Sequence, residues 1–158
     1  MQFQFDNRGG IRRIYAIPKE DFLSIDSTRS LGNVKIRLGR EDRIVELPYY
    51  AGQNYSFTEE HSLTENGDRY AVNISGVIPS QLLDTNTTEN LRRGEWLVLH
   101  QDTRGIVRLS GTQLVPLRFS SKRATGADAK ELNGEAFSFA ATEAESSPEC
   151  SLEGLIGT

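Results

Sequence analysis

The chain has 158 residues, with 18 Lys+Arg against 22 Asp+Glu, a net charge of -4 and a pI near 5.3. That length is one ordinary domain with a core of its own, and 37% apolar with 25% charged residues lies outside the disordered class. No stretch approaches the roughly 18–20 apolar residues of a membrane-spanning helix, and the single cysteine, Cys150, excludes an internal disulfide or a cysteine zinc cluster.

Charge is uneven: residues 1–50 sum to +2, residues 51–100 to -4 and residues 101–158 to -2. No segment carries the basic excess that phosphate-backbone affinity needs, so stable nucleic-acid binding is disfavoured. The opening MQFQFDNRGG has no apolar h-region, so no secretory signal is expected.

In chain order, the N-terminal third predicts strands over Ile11–Ile17, Asn33–Leu38 and Arg43–Leu47. Gly39–Asp42 suits a hairpin turn between the latter two, and Pro18–Leu23 suits one helical turn. The strongest local signal is a β-hairpin over Asn54–Ile78. Asn66-Gly67 is the favoured pair for a two-residue type I′ turn, because both residues tolerate positive φ. Pairing across that turn sets Leu63 against Tyr70, Tyr55 against Ile78, and Phe57 over the bare backbone of Gly76. Glu59 then faces Ile74, a mismatch that a bulge at Glu59-Glu60 would relieve.

Pro79–Arg93 predicts one short helix, with Thr87 or Thr88 as cap, Leu82, Leu83 and Leu91 as apolar contacts, and Gly94 as the stop. Glu95–Gln101, a turn at Asp102–Gly105 and Ile106–Leu109 form a second hairpin. After a turn at Ser110-Gly111, Gln113–Phe119 extends it to a meander. Ser120–Asn133 reads as a long exposed loop. Gly134–Thr142 alternates Phe137, Phe139 and Ala141 against Ala136, Ser138 and Ala140, a period-2 strand with one aromatic face. Trp96-Leu-Val-Leu99 and the two phenylalanines are the predicted core or interface. The expected fold is all-β, a sandwich or barrel of short antiparallel strands with one short flanking helix. Residues 1–142 form the single β domain and residues 143–158 a flexible C-terminal tail.

The chemistry-bearing residues are sparse. His61 lies beside Glu59 and Glu60, a weak cation site at most and more simply a solvated strand face. Glu59 and Glu60 adjoin, so on a strand they point to opposite faces. His100 near Asp102 reads as a local turn hydrogen bond. No Gly-x-Ser-x-Gly elbow, Walker loop or Gly-x-Gly-x-x-Gly occurs, and no base is evident beside a candidate serine. Cys150 adjoins Glu149, which disfavours its thiolate. No catalytic, cofactor-binding or metal-ligating residue is therefore assigned, and no cofactor is expected. Tyr49, Tyr50 and Tyr55 would suit a ligand platform, though core or interface packing is the commoner role for such rings.

Three segments carry a resemblance: Gly9–Asp21, Leu91–Thr112, and Leu117–Gly126 together with Gly134–Phe139. This layout resembles tail-tube-like structural proteins of Bacteroidetes phages and prophages. The resemblance implies a non-enzymatic virion component. Such proteins are β-sandwiches or barrels with a flanking helix, and they form rings, commonly hexameric, that stack into a channel for DNA. Its partners would be copies of itself and other virion proteins, with at most transient passage of DNA and no membrane. It would reside in the virion, and in the host cytoplasm during assembly. The negative net charge agrees, since a lumen must let DNA slide. No long hairpin arm for ring-to-ring contact stands out; the 120–133 loop, the 54–78 hairpin and the termini are the candidates. A neck or tail-terminator role fits equally. The competing expectation is a non-catalytic β-sandwich module that binds carbohydrate or a host surface through Tyr49, Tyr50 or Tyr55.

Overall fold

The computed structural model describes residues 10–27, 34–38, 43–48, 55–79, 84–124 and 134–150, for residues 23–27, 34–38 and 124 in the backbone alone. The described residues form an all-β fold with one short helix. Strands β1 (Ile11–Pro18), β2 (Phe22–Ser27), β3 (Val34–Leu38), β4 (Val45–Glu46), β5 (Ser56–Thr64) and β6 (Gly67–Pro79) precede helix α1 (Thr85–Arg93). Strands β7 (Glu95–Asp102), β8 (Val107–Ser110), β9 (Leu117–Ala124) and β10 (Gly134–Glu143) follow it. One antiparallel sheet runs β4-β1-β7-β9-β10-β6-β5, with β8 alongside β7, and β2-β3 form a separate ribbon.

The sheet curls around its core. Ile11 N–H donates to the Tyr55 carbonyl at 2.7 Å and Tyr55 N–H donates back at 3.0 Å, so the start of β1 meets the residue before β5. Alternation sends Ile14 and Ala16, Trp96 and Val98, Leu117 and Phe119, Phe137 and Phe139, and Val72 and Ile74 to the enclosed face. Phe139 is fully buried, with its ring 5.1 Å from Phe119 and 6.0 Å from Phe137, both edge-on. Burying each such ring contributes about 1.5–3 kcal/mol. The opposite faces of β1 and β7 carry Tyr15, Ile17, Leu97 and Leu99, which pack with Phe22, Val107, Leu109 and Cys150 in a second cluster. Two buried faces explain why Trp96–Leu99 is a continuous apolar run. The expected core residues Trp96, Leu97, Val98, Leu99, Phe137 and Phe139 are all buried.

Several local expectations change. The β5–β6 turn is Glu65-Asn66, closed by Thr64 opposite Gly67, and Asn66 keeps a negative φ while Gly67 adopts +104°. The pairing is therefore displaced by two residues: Phe57 faces Ile74, Glu59 faces Val72, and no bulge interrupts the ladder. An even displacement preserves the faces, so the buried set survives the error. Tyr55 rather than Phe57 covers Gly76. The β7–β8 hairpin forms as expected, with Gly105 at φ +92°. It does not continue as a meander, because β9 pairs with β7 only at Glu95 and Trp96 and runs mainly along β10. Residues 120–124, expected in a loop, belong to β9, and residues 125–133 lie outside the described residues.

The N-terminal third differs most. The helical turn is a 3-10 turn at Lys19–Asp21, followed by the unexpected strand β2. Strand β3 pairs with β2 and β4 pairs with β1, so they do not form a hairpin together; residues 39–42 are outside the described residues. Helix α1 is capped by Asp84, whose carboxylate accepts the Thr87 N–H at 2.6 Å, in place of Thr87 or Thr88. That bond also lowers the Asp84 pKa. Leu91 is buried as expected, and Leu82 and Leu83 lie outside the described residues. Gly94 ends the helix in extended backbone; its need for glycine comes from Trp96, whose ring would lie 2.6 Å from a Cβ there. Glu143, expected to open a tail, ends β10, and the chain then returns along β8 through Cys150.

Candidate functional site

The enclosed face turns polar where β5, β7 and β10 run past the aromatic cluster. The same alternation that buries Phe57, Val98 and Phe139 places Glu59, His100 and Glu143 on that face. Residues 144–150 form a strap that leaves β10 here. Ser147 N–H donates to Glu59 Oε1 at 2.7 Å and the Ser146 hydroxyl donates to Oε2 at 2.8 Å. Ser147 Oγ lies 2.9 Å from Ser110 Oγ, which lies 2.9 Å from His100 Nε2. The strap then joins β8: Leu109 N–H donates to the Pro148 carbonyl at 2.9 Å, and Cys150 N–H to that of Val107 at 2.8 Å.

Burial sets the electrostatics. His100 is 3% exposed and its ring stacks on Phe57 with centroids 4.4 Å apart. Desolvation, helped by the positive charge of Arg108, holds its pKa down to about 3. Glu143 is 5% exposed; burial pushes its pKa up to about 7, with the Gly111 N–H opposing and the Glu59 charge adding.

His100 and Ser110 have the spacing of a base and a nucleophile, a pair the sequence reading missed. Diagonal neighbours across the β7–β8 register would have revealed it. The pair is poorly made for acyl transfer. A base held at so low a pKa is a weak acceptor for a serine proton near neutrality, and Ser110 is fully enclosed. Its chemistry is that of a satisfied buried network tying the strap to the sheet.

Other polar groups pair locally. At the helix-covered side, buried Glu135 accepts Arg92 at 3.0 Å and lies 4.0 Å from Arg123. Trp96 Nε1–H donates to the Leu91 carbonyl at 2.9 Å, fixing α1 to β7. His61 is exposed, 2.8 Å from Asp68 and tilted against the Tyr70 ring, while Glu60 faces outward opposite to Glu59. Asp102 accepts the Arg104 and Ile106 N–H groups of its own turn and does not reach His100 by any direct bond. Cys150 is buried, its thiol pushed up to about 11. Tyr55 is buried too; its hydroxyl donates to the Pro48 carbonyl and its pKa rises to about 12, so it offers no ligand platform. Tyr49 and Tyr50 lie outside the described residues. Among the described residues no three His, Cys, Asp or Glu side chains gather as a metal site.

No protein-family model, no curated protein and no solved structure matches this chain.

Proposed function

We infer that the chain is a virion structural protein of a phage or prophage, tail-tube-like or a neck or tail-terminator component. It works by assembling with copies of itself and with neighbouring virion proteins, and it turns over no substrate. One observation carries this reading. The last rung between β10 and β6 is Glu143 with Tyr70, and beyond it the β5–β6 hairpin pairs only with itself among the described residues. Residues 60–66 are exposed, and among them Leu63, just before the turn, is 77% exposed.

A two-stranded arm with a bare leucine near its tip gains stability by laying that leucine on a neighbour, about 1.5–3 kcal/mol for full burial. The negative net charge is compatible with a lumen through which DNA slides. The enclosed, weakly basic His100–Ser110 pair fits a scaffold better than an enzyme. The competing binding-module reading loses Tyr55 from its platform. Mass spectrometry of purified particles tests the assignment: the chain should be present in stoichiometric amount, and its absence would refute a virion role.

A further inference from the structure

We propose that Glu59 and Glu143 form a proton-operated latch that holds the 144–150 strap over the outer edge of β8. The inference does not depend on a virion role. Glu59 grips the strap through both carboxylate oxygens, at Ser146 and Ser147. Glu143 lies at the hinge where the strap leaves β10, buried, with the Gly111 N–H as its donor. Among the described residues neither carboxylate has a cationic partner. On β8, beside the strap, Arg108 is taken up by Asp102 at 3.9 Å and Glu149 at 3.7 Å.

The groups around the hinge come from every neighbouring element. β5 supplies Glu59, and on its outer end His61, whose ring lies tilted 5.0 Å from that of Tyr70. β6 supplies Tyr70, the register partner of Glu143. β7 supplies His100, uncharged and linked to the strap through Ser110 and Ser147. The strap itself carries Glu145 and Glu149, both exposed. With Glu143 protonated, one negative charge sits at the hinge and the serine donors satisfy it. When Glu143 ionises, its buried carboxylate and the half-buried Glu59 carboxylate repel each other without a cation, and the arrangement relaxes by releasing Glu59 from the strap. Release uncovers the Val107 carbonyl and Leu109 N–H on the β8 edge and exposes Cys150.

Cys150 is the only cysteine, so its alkylation reports the strap. Labelling with a neutral alkylating reagent is timed from pH 5.5 to 8.5, each rate divided by that of the denatured chain at the same pH. A Glu143 held near 7 when latched and at its usual 4.5 when released predicts about a tenfold rise in the normalised rate between pH 6 and 8. Glu143→Gln should flatten that rise. Glu59→Gln, which keeps one of the two acceptor oxygens and removes the second charge, should weaken it. A rise that persists unchanged in both variants would assign it to another group and overturn the latch. A wild-type rate independent of pH, or unprotected throughout, would overturn it as well. Hydrogen exchange at the Leu109 and Cys150 amides gives the same readout without the thiol.

Discussion

Gly76 lies beneath Tyr55: a Cβ at position 76 would overlap Cδ1 of that ring and come within 3.3 Å of Phe137 Cε1. The absence of a side chain on β6 thus lets the tyrosine at the β1–β5 seam fold inward, where its hydroxyl reaches the Pro48 carbonyl. Gly76→Ala should destabilise the fold by about 1–3 kcal/mol through overpacking. In a Tyr55→Leu background the same change should cost less, because the two sites share the contact. Denaturant titration followed by the single Trp96 measures both; equal penalties in the two backgrounds would break the link.

Gly67 has open space around it, yet its φ is +104°. Gly67→Val should cost about 1 kcal/mol or more through backbone strain alone. Gly67→Asn should cost less, since asparagine tolerates positive φ. Unchanged thermal stability of the valine variant would contradict the turn geometry.

Phe139 is fully buried between Phe119 and Phe137. Phe139→Ala should cost roughly 3–5 kcal/mol by lost transfer energy and the cavity left behind. Phe139→Leu should recover much of that loss. Chemical denaturation with a constant m-value checks the pair.

Two buried groups give the stability a pH profile with opposed limbs. The folded pKa of Glu143, about 7, lies above its usual 4.5, so its contribution is complete below 4.5 and is lost as pH rises through 7. The folded pKa of His100, about 3, lies below its usual 6.5, so its contribution is complete above 6.5 and is lost as pH falls toward 3. Glu143→Gln should therefore gain on the wild type at pH 8, by at most about 3 kcal/mol, and match it near pH 4.5. His100→Gln should instead flatten the acid limb. Unfolding midpoints at pH 4.5, 6 and 8 separate the two effects.

What was legible in the sequence was local. Gly105 after Asp102-Thr-Arg sets the β7–β8 hairpin, and Phe137-Ser-Phe139 sets the face of β10; both follow from neighbours within a few residues. The β5–β6 hairpin was visible, but its register was not. Asn-Gly admits either a two-residue turn on itself or a type I turn ending on the glycine, and packing of Tyr55 over Gly76 chooses between them. The pairings of β2 with β3 and β1 with β4 were hidden because β2 and β3 are short and β4 is only two residues long, so each carries little partner information. The polar end was hidden for a stronger reason. Glu59 and Ser146 are 87 positions apart, and nothing near either residue announces the other. Gly94 was recognised as a helix stop, but its physical cause is the indole of Trp96 rather than a left-handed cap.

The central claim is self-assembly through the β5–β6 arm, and light scattering over a concentration series, with negative-stain microscopy of the same samples, tests it most directly. The wild type should form rings or stacked particles as concentration rises, and Leu63→Asp, which alters only an exposed position, should shift that onset to higher concentration while leaving the monomer fold intact. A wild type that stays monomeric at millimolar concentration, or assembly that ignores Leu63→Asp, would contradict the account.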